Sequence, residues 1–254
     1  MKTFLLKFRR FMLSHFIPEF IWPVSVNISG VQIPIRNEPY SFGTKWILKK
    51  KEYENPEIAL VNEILKEGDK VLEMGTSIGI LTRVMSKLVG EKGKLVTIEC
   101  NEVLYKQSQR WMSLYPNVNL LYGYGFPVYK VPDSLSINGY SDDLGSLGTK
   151  LEFSTDQNFV TRDHRIIDFY TIEKNYSFKP NILVIDVEGS EEIIVTGEFE
   201  LPEYIQAIII ELHPGMYKNT FSTETEIINS IKLAGFNLYK KIASSYLFKR
   251  HENN

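Results

Sequence analysis

The chain carries one cysteine, Cys100, in 254 residues. That excludes an internal disulfide framework and a zinc cluster built from cysteines. Cys100 follows Glu99 at the expected end of a strand and reads as a small packing residue rather than a nucleophile. Charge of one sign is also scarce, with 29 Lys and Arg against 31 Asp and Glu, a formal net charge of -2. With no basic excess, nucleic acid is not an expected partner. No apolar run is long enough to span a bilayer. Internal repeats and low-complexity tracts are absent, so neither a solenoid nor a disordered linker is expected. What remains is an ordinary globular composition, 43% hydrophobic and 24% charged. The length suits one large α/β domain with an appendage, or two small ones, and the expected compartment is the cytoplasm.

The N-terminal stretch MKTFLLKFRRFMLSHFIPEFIW is a poor signal peptide, because Lys7, Arg9 and Arg10 interrupt the apolar region. Phe4, Leu5, Phe8, Phe11, Met12 and Phe16 fall on one helical face, with Lys2, Lys7, Arg9 and Arg10 largely off it. Two readings stand for residues 1–17: peripheral contact with the inner face of a membrane, or packing on the domain or on a second copy in a homodimer. Pro18 ends the helix. Val24 to Ile35 alternates around Ser29-Gly30 as a β-hairpin, and Pro39 to Gly43 reads as a loop. Residues 1–56 are therefore expected to form an arm, and residues 57–254 the main domain.

That domain is organised around Lys70 to Asn101. A short apolar run reaches Glu73, then a turn from Gly75 to Gly79, then a helical pattern (Ile80, Leu81, Val84, Met85, Leu88). Gly90 and Gly93 end the helix, and Leu95 to Ile98 leads to a second acid, Glu99. The spacing predicts one βαβ unit. Glycines at the end of the first strand admit a ligand to the main chain. A carboxylate ending the second strand can accept both hydroxyls of a ribose. A dinucleotide fold shows G-x-G-x-x-G. Here the pattern is E-x-G-x-x-x-G, with Thr76, Ser77 and Ile78 between the glycines. It resembles motif I of the class I S-adenosyl-L-methionine (SAM) methyltransferases, with Glu99 as the ribose acid.

Further along, Val103 to Tyr115 is expected as a helix and Val118 to Tyr122 as the third strand. The long segment from Gly123 to Asp163 follows, with Asp142 to Gly148 a candidate substrate loop. Arg165 to Tyr170 reads as a strand or turn. Ile182 to Ile185 and Ile205 to Ile210 are buried strands, with a helix starting at Glu191 between them. Thr223 to Ala234 is a helix, and Asn237 to Ile242 pairs with Ser244 to Phe248. The two buried strands deliver Asp186, Glu188, Glu211 and His213 to the edge that holds Gly75 and Glu99. Like charges brought together out of water are poor as structure and common in active sites. Each also has a plain structural reading: Glu188 as a helix cap, Asp186 as a tie in the Gly189 turn, His213 as a loop anchor.

ILVIDVEGSEEIIVTG followed by IIIELH resembles the signature of the FkbM-type methyltransferases, roughly K-I-D-V-E-G-x-E, a helix ending in Gly and an acid on the next strand. PEIALVNEILKEGDKVLEMGTSIG resembles that family's approach to motif I, and RIIDFYTI its segment before the fourth strand. The likeness spans about residues 52 to 215. Two positions depart: Val184 stands where the family usually has lysine, and Glu73 where it has aspartate. The resemblance implies a Rossmann-like class I fold, a mostly parallel seven-stranded sheet with helices on both faces. It also implies SAM-dependent O-methylation, often of sugar hydroxyls in glycans. Glu73, Gly75, Thr76, Ser77, Gly79, Glu99, Gly123 and Asp186 would then surround the cofactor, with Gly123 to Gly125 near the adenine. Asp186, Glu188, Glu211 and His213 would face the acceptor. His213 is the preferred base, because an imidazole titrates closest to neutral pH, and Glu188 and Glu211 are alternatives. A divalent cation held by the acids is considered and not favoured. The competing readings are a nicotinamide-dependent oxidoreductase and a non-catalytic SAM-binding protein.

Overall fold

A computed structural model describes residues 18–129, 136–141, 150–154, 166–192, 194, 201–217 and 223–251. The amphipathic segment 1–17 and the candidate loop from Asp142 to Gly148 lie outside them. The chain divides into two compact units, one ending at Asn55 and one starting at Pro56. Among the described residues, no helix is long and apolar enough to cross a membrane.

The first unit holds the expected hairpin, β1 (Ser25–Ile28) and β2 (Val31–Pro34). Ser29 and Gly30 both take positive φ, the geometry of a two-residue turn whose twist matches the strands. Asn27 Oδ1 secures the turn by accepting from the Gly30 N–H. Pro39 to Gly43 is not wholly loop, however. Ser41 Oγ accepts from the Thr44 N–H and caps a helix, α1 (Phe42–Lys50). The signal was a serine ahead of a helical stretch, hidden by the glycine at position 43.

The second unit starts with α2 (Asn55–Ile64) and runs through β3 (Lys70–Met74), α3 (Ile80–Val89) and β4 (Lys94–Glu99). Next come α4 (Glu102–Gln109), β5 (Val118–Tyr122), the short β6 (Tyr124–Gly125), and the hairpin β7 (Ser136–Ser141) with β8 (Lys150–Ser154). Then follow β9 (Ile166–Ile167), α5 (Phe169–Tyr176), β10 (Ile182–Ile185), β11 (Ala207–Glu211), α6 (Glu224–Leu233), β12 (Phe236–Ile242) and β13 (Ser245–Arg250). Seven strands form one sheet in the order β12-β13-β11-β10-β3-β4-β5. The five from β11 to β5 are parallel, and β13 and β12 join antiparallel at one side. This is the expected Rossmann-like methyltransferase fold.

Burial explains why the central strands are nearly all apolar. Leu72, Met74, Val96, Ile98, Leu183, Ile185, Ile208 and Ile210 make one face, covered by Phe169 and Ile172 of α5 and Ile227 and Ile231 of α6. Strand alternation turns Glu73 and Thr97 to the other face, where Glu73 meets Thr82 of α3. Two helices differ from expectation. The helix predicted over Val103 to Tyr115 stops at Gln109 and gives way to a 3₁₀ turn at Met112–Leu114. The interruption frees the Trp111 ring to pack on Arg83 and against Gly79. Of the stretch read as Arg165 to Tyr170, Ile166–Ile167 form the two-residue β9 and Phe169 and Tyr170 open α5. Asp168 then caps α5 by accepting from the Thr171 N–H, a start signal that the apolar run obscured. Between β10 and β11, Ser190–Glu192 forms a 3₁₀ turn, and residues 195–200 of the helix expected there fall outside the described set.

Candidate functional site

The register of the sheet builds the site. Met74 pairs with Ile98 on one side and Ile185 on the other, and Ile185 pairs with Ile210. The next residue on each strand is Glu99, Gly75, Asp186 and Glu211. Four parallel strands therefore end in one row, with main chains spaced about 4.8 Å apart. The two groups of residues singled out in the sequence open onto a single edge.

In the first group, Glu99 fastens the turn. Its Oε2 accepts from the Ser77 N–H and its Oε1 from the Asn101 N–H, both at 2.7 Å. Burial raises its pKa to about 7 against the pull of these bonds. Cys100 adds hydrogen bonds from its main chain and its thiol. Glu73 lies deeper. Its Oε2 accepts from Thr82 Oγ1 at 2.6 Å and Thr97 Oγ1 at 2.5 Å, while Oε1 is sealed with no hydrogen-bond partner. Burial lifts its pKa to about 7 as well. Thr76 Oγ1 touches Thr97 Oγ1, Ser108 Oγ donates to the Ser77 carbonyl, and the Gly79 N–H closes the turn on the Thr76 carbonyl.

The two glycines of the turn are each required by close packing within the chain. A Cβ on Gly75, at φ +100, would come 1.8 Å from the Asp186 carbonyl oxygen. One on Gly79, at φ +73, would strike the Trp111 ring at 2.1 Å. The space beside each, on the side a Cβ would take, is filled by protein. Gly123 follows β5 and donates its N–H to the Glu99 carbonyl, joining the row.

The second group surrounds His213. Nδ1 lies 2.9 Å from Glu191 Oε1. Nε2 lies 3.8 Å from Asp186 Oδ1, 3.7 Å from Glu188 Oε2 and 3.7 Å from Glu211 Oε2. The outer oxygen of Glu211 is held by Ser244 Oγ at 2.7 Å. Glu188 sits at φ +49, unusual for a residue with a side chain. The turn it belongs to packs on Met216, which a Cβ at Gly189 would meet at 2.8 Å. Burial raises Asp186 well above the usual carboxylate range, reinforced by Glu211 and Glu188. Burial likewise raises Glu188. On His213 burial acts downward, but the carboxylates of Glu191, Asp186 and Glu188 outweigh it and raise the ring to about 9. The reading of His213 as the base rests on the ordinary imidazole pKa, which these neighbours raise. Glu191 was read only as a helix start. Its signal was present as the last acid of D-V-E-G-S-E. Ser244 had none.

A family model for protein-L-isoaspartate(D-aspartate) O-methyltransferase matches residues 37–126. The chain is 43% identical over 67 residues to the protein-L-isoaspartate O-methyltransferase of Methanococcus maripaludis, covering 26% of this chain and 32% of that protein. With the enzyme of the same name from Fervidobacterium nodosum it shares 37% over 85 residues, 32% of this chain and 43% of that one. The chain thus spans between a third and a half of the length of these relatives. Among solved structures, Aeropyrum pernix fibrillarin in complex with natively bound S-adenosyl-L-methionine aligns with TM-score 0.43 at 14% identity, covering 76% of this chain and 71% of that one. A SAM-dependent methyltransferase from Aquifex aeolicus aligns with TM-score 0.40 at 18% identity, covering 76% and 86%. The sequence likeness to the isoaspartate enzymes covers the Gly75–Glu99 half of the edge and stops before Asp186.

Proposed function

We propose that the chain is a SAM-dependent O-methyltransferase acting on a hydroxyl, of the kind a sugar carries. The observation that carries this reading is the single row of strand ends, which sets a ribose-competent acid, Glu99, beside a cluster of acids around His213. The matched family model supports the cofactor half. D-V-E-G-S-E followed by I-I-I-E-L-H supports an FkbM-type acceptor half. Bound SAM supplies a methyl group already activated by its sulfonium. Glu99 takes the ribose hydroxyls, and the turn from Gly75 to Gly79 seats the cofactor. Glu188, at the cluster's more exposed rim, takes the proton of the acceptor hydroxyl, its raised pKa making it the stronger base. The imidazolium of His213 holds Glu188, Glu211 and Asp186 in place.

The related enzymes are named for a carboxyl acceptor, the protein isoaspartyl group. An anionic acceptor entering between Asp186, Glu188 and Glu211 meets like charge, whereas a neutral hydroxyl meets acceptors for its hydrogen bonds. The test is incubation with methyl-labelled SAM and, separately, a pool of oligosaccharides and an isoaspartyl peptide. Label in the sugar fraction is expected. Label in the peptide alone would move the acceptor to a carboxyl, and a chain that binds NAD but not SAM would end the methyltransferase reading.

A further inference from the structure

The ion pairs on the inner nitrogen of His213 are long ones. Nε2 stands 3.7 to 3.8 Å from three carboxylate oxygens, too far for a hydrogen bond to any of them. Two ligand atoms each about 2.2 Å from one cation are separated by about 3.1 Å at a right angle and about 3.6 Å at the tetrahedral angle. The spacing around Nε2 is therefore close to that of atoms sharing a common centre. One nitrogen and one oxygen each from His213, Asp186 and Glu211 lie within 4.8 Å of one another.

Two further observations point the same way. Asp186 Oδ1 faces Nε2, is sealed from solvent and has no hydrogen-bond partner. In a fully folded interior such an oxygen is costly unless something occupies the space in front of it. The other two groups are braced from behind. Glu191 Oε1 holds Nδ1 at 2.9 Å, and Ser244 holds the outer oxygen of Glu211. A carboxylate on the far nitrogen of a histidine is the usual outer support of a metal-bound imidazole, because it keeps the proton on Nδ1 while the cation displaces the one on Nε2.

We propose that Asp186, Glu211 and His213 bind one divalent first-row metal cation, with Glu191 and Ser244 as its outer supports. Carboxylates with a single imidazole suit manganese or ferrous iron better than calcium, which prefers an all-oxygen shell. Glu188 lies outside the three ligands and keeps its place as proton acceptor. On the hydroxyl-acceptor reading, which this role rests on, the cation's open positions hold the acceptor oxygens and lower the pKa of the one to be methylated.

The test is titration of the full chain, stripped with chelator and dialysed, with Mn²⁺ alone, following free Mn²⁺ by electron paramagnetic resonance. Neither SAM nor acceptor is present. One Mn²⁺ per chain and a raised thermal midpoint are expected. Asp186→Asn should abolish both, and Glu191→Gln should weaken binding about 10- to 100-fold, the usual cost of losing an outer support. Circular dichroism establishes that each variant is folded, and Glu211→Gln replaces Asp186→Asn if that variant is not. No stoichiometric binding, or equal binding by the folded variants, overturns the proposal. Binding without methyl transfer to any acceptor upholds the cation site and sinks the enzyme reading instead. Transfer that continues after stripping, with no Mn²⁺ bound, removes the cation alone.

Discussion

Two sets of acids share one sheet edge and are treated in opposite ways. Glu73 and Glu99 are each wired singly into the scaffold, Glu73 by two threonine hydroxyls and Glu99 by two main-chain N–H groups. Asp186, Glu188 and Glu211 are given one imidazole between them and are left facing one another. The first set stabilises a turn. The second costs stability, and folds retain such arrangements where chemistry needs them. On the proposed function, the reacting end lies in the half that the matched family model does not cover.

Substitutions can break or sharpen this contrast. Glu188→Gln should lower the rate of methyl transfer by about a hundred- to ten-thousand-fold, the range for a lost general base, with SAM affinity unchanged by calorimetry. If SAM affinity fell and the rate constant did not, the two sets would have exchanged roles. Gly75→Ala should cost on the order of 4 kcal/mol in urea unfolding, because its Cβ would overlap the Asp186 carbonyl and its φ is positive. A small loss there would mean that the two halves are not in main-chain contact.

Glu73→Gln should raise stability at alkaline pH. The folded pKa of about 7 lies above the ordinary 4.5, so Glu73 stabilises the fold fully below pH 4.5, and that contribution is lost as pH rises through 7. Glutamine does not titrate. The variant's advantage in urea unfolding without cofactor should therefore grow from pH 4.5 to 7 and level off near 3 kcal/mol at most, at about 1.36 kcal/mol per pH unit. A constant difference across that range would show that Glu73 is not held protonated. The smallest effect calibrates the others. Thr223 and Glu226 form a reciprocal capping box on α6, and Thr223→Ala should cost about 1 kcal/mol in urea unfolding.

Much of this was legible in the residues. Apolar runs ending in acids marked β3, β4, β10 and β11, and parallel pairing alone brought their ends together. The hairpin around Ser29-Gly30 was written in alternation and turn chemistry. Other features depended on neighbours that no local pattern announces. α4 ends early because Trp111 is drawn to Gly79 and Arg83, contacts of distant origin. α1 and α5 each begin at a short polar cap, Ser41 and Asp168, that was masked by glycine or by apolar residues nearby. The pKa of His213 is raised by three carboxylates, Glu191, Asp186 and Glu188, that an argument from the isolated imidazole does not include. The glycines of the turn stood out for the room they give a ligand, and the contacts within the chain that also demand them left no mark in the sequence.

The contact between Gly75 and the Asp186 carbonyl leaves no slack between the cofactor turn and the first acid of the cluster. Neither can be displaced by the width of a methyl group without carrying the other along. Over time, a lineage built on this edge is free to exchange side chains at its rim and so to meet new acceptors. The alignment of donor and acceptor, set in main chain, is the part it must inherit whole.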